Sequence, residues 1–302
     1  MATLLLWASA FPAIRVALRG YSPAHLALAR YLVASATLGI LALRGGFIWP
    51  ERADLGRIAL AGLFGFSIYN VALNAGETHV PAGVAGFLVN TAPLWSLILV
   101  TLLGHERVSR RGWAGVLLSL CGVALLALSR PDNRPLDKDF LSGAGLVLLA
   151  AFGAGIYTLL QKQLLKKYGA LQLTTWVVWA GTLWLMVFAP GLATAVRQAP
   201  FSATVSVVYM GVFPGALGYA MWAQVASGMS VSRAVSFIPF VPVAAAAIAW
   251  LWLDERLTAV AIFGGALALG GVILVNTART AKTTGNRVLD DGASPIRASR
   301  KL

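Results

Sequence analysis

The residues in this chain that could do chemistry are uncharged, and they sit inside long apolar runs. One run carries Tyr69, Asn70 and Asn74, and a second carries Asn90-Thr91 just ahead of Pro93. Tyr157 and Gln161 share a third run. Pro214, Tyr219, Trp222 and Gln224 share a fourth, and Ser236-Phe237 precede Pro239 and Pro242 in a fifth. Asn70 with Asn74, and Tyr157 with Gln161, stand at i,i+4, which puts each pair on one helix face. Phenols and indoles give broad contact at low ordering cost, while amides and phenols can meet an ammonium or a carboxylate. This is binding chemistry. Because a buried amide in lipid must find a partner, interhelical hydrogen bonding is the competing use of each residue.

What is missing narrows the reading further. No Asp or Glu stands in the middle of an apolar run. Intramembrane carboxylates are the usual proton relays and cation sites of pumps, so their lack argues for a facilitator or exchanger over a carboxylate-driven antiporter. Glu77 and His79 fall in a short turn and read as solvated. Glu106 and Glu255 fall at helix ends, each three positions before a Ser or Thr that can open the next helix, and read as capping or interfacial residues. Two arginines lie deeper. Arg15 is close enough to a run's end to snorkel to the interface, with a carboxylate anchor as its alternative. Arg30 is seven residues into its run and needs a partner or a water path; a structural pairing role is expected. The pair-forming chemistry of an enzyme is not there: HExxH, GxSxG and a P-loop are all missing, and His25, His79 and His105 are too dispersed to share a metal. No cofactor and no metal site are expected. An intramembrane enzyme therefore stays a remote alternative. So does a scaffold, which would not need polar groups inside the bundle.

The elements that must position these residues are membrane spans. Of the 302 residues 58% are hydrophobic and 12% charged, against roughly 25% charged in soluble domains, and mean hydropathy is +0.76. Runs of about 20 apolar residues, enough to cross a ~30 Å hydrocarbon core, follow nearly end to end. Ten spans are predicted: 2–19, 24–43, 57–77, 81–103, 112–129, 141–161, 171–190, 202–224, 231–252 and 259–277. The first starts at Met1 without a charged flank, as a chain lacking some N-terminal residues would. It does not read as a cleaved signal, since a basic leader is missing and Arg15 interrupts it. Residues 278–302 are polar and read as a disordered tail. The lone cysteine, Cys121, reads as a small buried hydrophobe.

The net charge of +13 does not point to nucleic acid, because the basic residues lie in short loops and the tail. With the N-terminus inside, sixteen Lys and Arg fall inside and six outside, leaving Arg15 and Arg30 within spans. That bias places both termini in the cytoplasm.

The chain also repeats itself. A shift of 149 residues carries Pro93 onto Pro242, Glu106-Arg107 onto Glu255-Arg256, Gly115 onto Gly264 and Gly122-Val123 onto Gly271-Val272. Gly62 falls on Gly211 and Phe64 on Phe213 in the same gapless register. The predicted units are 1–129 and 141–277, joined by the loop 130–140. Five spans per unit is an odd number, so the second copy enters the membrane inverted. Inverted repeats build transporters whose site lies between the halves near the midplane.

The first span, LLLWASAFPAIRVAL, together with the twice-occurring Pro, thirteen residues, Glu-Arg, then Gly-x6-Gly-Val, resembles the drug/metabolite transporter superfamily and, within it, the EamA-type ten-helix exporters. The aromatic content and tight 3–4 and 8–9 hairpins look most like the YddG-type exporters of aromatic amino acids. The resemblance covers residues 2–277. It implies an all-α fold of two five-helix inverted repeats, a bacterial inner-membrane location, and export of amino acids and small metabolites by a monomer or weak dimer. Mapped onto the spans that the family places round its cavity, it gives a substrate-binding set of Trp7, Tyr69, Asn70, Asn90, Tyr157, Tyr219, Trp222 and Phe237. Pro93, Pro214, Pro239 and Pro242 are the expected gating or hinge positions. Trp7-Ala8-Ser9 and Arg15 have no clear counterpart in the second copy, so the site is expected to be chemically asymmetric.

Overall fold

A computed structural model describes residues 2–103, 106–107, 109–128, 138–222, 240–255, 257–277 and 281–282. Apart from turns and short loops they are helical, with one short antiparallel pairing, β1 (Glu106–Arg107) with β2 (Ala281–Lys282), which ties two residues of the expected disordered tail to a loop. The chain runs α1 (Ala2–Ala17), α2 (Pro23–Arg44), α3 (Leu55–Gly62), a π-helical stretch (Leu63–Ile68), α4 (Tyr69–Gly76), α5 (Ala82–Val89), α6 (Ala92–Leu102) and α7 (Arg110–Leu128). It continues through α8 (Lys138–Leu164), α9 (Ala170–Leu185), the short α10 (Leu192–Gln198), α11 (Phe201–Val212), a second π-helical stretch (Phe213–Leu217), α12 (Phe240–Leu253) and α13 (Ala259–Thr277). Among the described residues, seven helical stretches are long and apolar enough to cross a membrane, and α1 and α12 are shorter apolar helices. This is an all-helical membrane protein. The first nine residues predicted for the ninth span, and most of the loop 130–140, lie outside the described residues.

Local chemistry sets the boundaries. Ser22 accepts the His25 N–H at 3.3 Å and Pro23 occupies the first helical position, so α2 starts there. Ser109 and Thr258 each accept the N–H three residues on, at 3.2 and 3.1 Å, and open α7 and α13. The stretch 82–102 breaks at Asn90-Thr91. Both side chains fold back onto carbonyls of α5, at 2.8 and 2.7 Å, and Pro93 has no N–H to continue the ladder.

The two π-helical stretches were not foreseen. Each adds a residue to a turn and loosens the helix there. Gly65 in the first and Pro214 in the second are 149 positions apart, the register of the repeat.

Small residues let the helices close. Gly115 on α7 meets Gly271 on α13, and Gly122 meets Gly264, so these two helices pack antiparallel with backbone against backbone. A β-carbon at Gly115 would lie 2.8 Å from the Gly271 carbonyl oxygen. Contacts between the halves recur in exchanged form: α1 packs on α12 and α8 on α6, while α3 packs on α9 and α11 on α2. Cys121 departs from expectation, being exposed on α7; an apolar thiol on the rim of a bundle faces lipid.

Loops gather at two ends. At one, Lys167 pairs with Glu51 and donates to Asp54 at 2.8 Å, and the Tyr168 hydroxyl donates to the same Asp54 oxygen at 2.6 Å. Asp54 and Glu51 hold the Lys167 ammonium above its usual range. The other end collects residues 19–22, 77–82 and 253–258, together with Pro200 against Gly20.

Candidate substrate cavity

A cavity of about 260 Å³ lies inside the bundle, walled by α1, α2, α4, α5, α8, both π-helical stretches and α12. Five of the eight expected binding residues line it: Trp7, Tyr69, Asn90, Tyr157 and Tyr219. So does one expected hinge, Pro214. Their rings form a continuous wall. Trp7 lies 5.4 Å from both Tyr219 and Trp222, while Phe66 bridges Tyr219 at 5.9 Å and Tyr157 at 5.5 Å. Two glycines make room for it. A β-carbon at Gly65 would come within 2.6 Å of the Tyr157 ring, and one at Gly218 within 2.9 Å of Trp7 Nε1.

The remaining expected residues fall elsewhere. Trp222 stands behind Trp7 and away from the lining. Asn70 is fully buried behind the wall, donating to the Tyr31 hydroxyl at 3.1 Å and the Phe66 carbonyl at 2.7 Å, and accepting from Arg30 Nη1 at 3.2 Å. Asn74 donates to the Pro23 carbonyl at 3.0 Å. These two amides join α4 to α2, the interhelical use weighed from sequence. Pro93 starts α6 and Pro242 is buried in α12 against Gly86, neither lining the cavity. Phe237 and Pro239 lie outside the described residues, as do Gln224 and Ser236.

Sequence reasoning missed four polar or aromatic lining residues as site members: Arg30, Tyr31, Phe11 and Thr158. The available signal for Arg30 was its depth in an apolar run; nothing in the spacing distinguished a cavity from a salt-bridge partner.

Toward the loop-19 end lies a second, polar cavity of about 430 Å³, bounded by Arg15, Arg19, Thr78 and Glu255. Arg15 Nε donates to Glu255 at 3.2 Å, and Arg15 Nη1 donates to the Glu77 carbonyl. The other Glu255 oxygen accepts the Ala82 N–H at 2.9 Å, which caps α5. Glu255 is thus a capping residue, as expected, but of a helix in the other half of the chain. Arg15 is held by an ion pair and does not simply snorkel. Glu77 corrects the solvated-turn expectation outright: it is 0% exposed, and neither carboxyl oxygen has a hydrogen-bond partner.

The EamA-like transporter family matches residues 1–128 and again 141–277. The chain belongs to the EamA-like transporter family. An uncharacterized transporter of Bacillus subtilis, YdfC, is 40% identical over 267 residues, covering 88% of this chain and 86% of its own. A protein of Streptantibioticus cattleyicolor named as a probable terminal-alkyne amino-acid exporter is 39% identical over 290 residues, covering 94% and 96%. One solved crystal structure shares the fold with a TM-score of 0.60 at 18% identity, over 90% of this chain and 93% of that one. An EamA-family transporter needs a place for its cargo, and the aromatic cavity is lined by residues from both halves of the chain.

Proposed function

We propose that this transporter exports amino acids, chiefly neutral or aromatic ones, and related small metabolites from bacteria by alternating access. It would sit in the inner membrane as two inverted five-helix repeats with both termini cytoplasmic. The observation that carries the reading is the wall of the central cavity. Trp7, Tyr69 and Asn90 come from the first half and Tyr157 and Tyr219 from the second, so a movement of one half against the other opens and closes the same site. A wall rich in rings and poor in charge suits several neutral side chains better than one exact shape.

Further support comes from three sides. The family matches the two halves separately, with boundaries close to the repeat register. Contacts recur in exchanged pairs, as inverted repeats require, and the register pairs Gly65 with Pro214 in the same π-helical distortion. A relative of 39% identity carries an amino-acid exporter's name. With the termini inside, the Lys167 cluster is cytoplasmic and the Arg15 cluster external.

Counterflow in proteoliposomes against a panel of labelled amino acids tests the activity. Exchange with aromatic and large neutral members is the expected result, and no exchange with any member overturns it. For the inversion, Cys121→Ser removes the native thiol, and Ser109→Cys and Thr258→Cys supply reporters. An impermeant thiol reagent should reach them from opposite sides; labelling of both from one side would sink the repeat.

A further inference from the structure

Arg30 is the one formal charge in the wall of the central cavity among the described residues. It is 7% exposed, its Nη1 donates to the Asn70 amide oxygen, and its buried Nε has no partner. Its guanidinium stands 5.4 Å from the Tyr31 ring centroid. No described acid forms an ion pair with it; Glu77 is the acid whose field reaches it, without a hydrogen bond. A guanidinium stays charged at any pH of interest, and a charge left this far inside an apolar bundle is costly unless something uses it. Trp7 repeats the pattern. Trp7 lines the same cavity, and its Nε1–H is buried without a partner.

Two buried donors, one of them cationic, lack an acceptor. What complements them is a planar anion with two acceptor oxygens, for which the guanidinium fork is shaped. Among the described residues the lining holds no Asp or Glu to complement an ammonium; for that group it offers phenols, the Asn90 amide and ring faces.

We infer that Arg30, with Trp7 beside it, binds the carboxylate of the cargo, and that the carboxylate is required for transport while the α-ammonium is dispensable. This rests on the central cavity being the substrate site, and it narrows the substrate class to carboxylates bearing an apolar or aromatic group.

The test is a competition series in proteoliposomes against labelled phenylalanine. Phenylpropionate, which lacks the ammonium, should compete about as well as phenylalanine. Phenethylamine, which lacks the carboxylate, should be weaker by about 10- to 100-fold, the usual weight of a hydrogen bond to a charged group. In Arg30→Gln that ratio should collapse toward one, with Arg30→Lys between. A residue that merely held Asn70 in place would weaken both competitors equally, so the ratio separates the roles even in a variant of low abundance. A wild-type ratio near one overturns the inference by itself, as does an unchanged ratio in Arg30→Gln. Should wild-type protein carry no amino acid, thermal protection of the purified protein in detergent decides. Arg30-dependent protection by phenylpropionate keeps the carboxylate site and rejects the amino-acid cargo. No protection by it rejects the carboxylate site.

Discussion

Arg15 and Arg30 occupy apolar helices of the same half, fifteen residues apart, and their surroundings differ in kind. Arg15 stands at a helix end beside a polar cavity, with Glu255 as counter-ion and the Glu77 carbonyl as a second acceptor. Two of its donors are spent on the protein. Arg30 stands deeper, with one amide as its hydrogen-bond partner and a buried Nε facing none. The difference teaches what a buried charge is for. Where the fold supplies the anion, the charge fastens two halves together; where it does not, the charge is left for something that arrives.

The contrast breaks most sharply in the cavity. Leaving a buried polar group unpaired costs about 1–3 kcal/mol, so losing a wall residue that meets the cargo should weaken transport roughly 5- to 150-fold. Tyr219→Ala and Asn90→Ala should therefore cut flux per molecule of an aromatic amino acid while abundance in the membrane stays close to wild type. The interhelical-glue reading predicts the reverse, with lower abundance and unchanged flux per molecule. Measuring both in the same cells separates them.

At the Arg15 end the effect should be smaller and should appear in stability. The side chains of Arg15 and Glu255 are 34% and 18% exposed, between the surface pairs that contribute little and the buried ones whose breaking is severe. Glu255→Gln is expected to cost about 1–2 kcal/mol, read as a lower melting temperature in detergent, with the competition ratio of carboxylate over amine unchanged. The exchanged pair Arg15→Glu with Glu255→Arg should recover part of the loss. A change in the ratio would mean that the outer pair takes part in selecting cargo. Lys167→Met, at the opposite end with a 40% exposed side chain, should lower the melting temperature less than either, since water screens an exposed pair.

Spans were legible because a run of about 20 apolar residues has few other uses, and the observed helices Pro23–Arg44, Ala82–Leu102 and Ala259–Thr277 fall within a residue or two of the predicted bounds. The break at Asn90-Thr91 was legible as well, since Pro93 cannot donate. The π-helical stretches were not. Gly65 and Pro214 are ordinary membrane-helix residues; Pro214 lacks an N–H for the ladder and Gly65 lies where a β-carbon would strike the Tyr157 ring, but neither fact by itself calls for a π-helical turn. Roles within a span were the hardest to read. Asn70 and Asn74 face α2 and not the cavity. Arg15 is held in an ion pair with Glu255 and does not simply snorkel, while Arg30 has a pairing partner in Asn70, as expected. Depth in one helix says how costly a group is; the neighbouring helix says what satisfies it, and sequence alone does not put that neighbour in place.

Glu77 supplies the prediction with the smallest expected effect. It is the one described carboxyl that is fully buried without a hydrogen-bond partner, and it lies near both arginines, one turn beyond Asn74 on α4. A proton-linked mechanism would have to run through such a group. It does not line the central cavity, however, and the cargo's carboxylate is already provided for by Arg30. Flux should therefore persist in proteoliposomes without an imposed pH gradient, and Glu77→Gln, which keeps the shape and removes the titratable proton, should carry the same flux per molecule. A wild-type requirement for a gradient that disappears in Glu77→Gln would end the facilitator reading. It would also recast the two arginines as partners of one buried acid, with Glu77 passing between the pair at the outer end and the empty donor in the cavity.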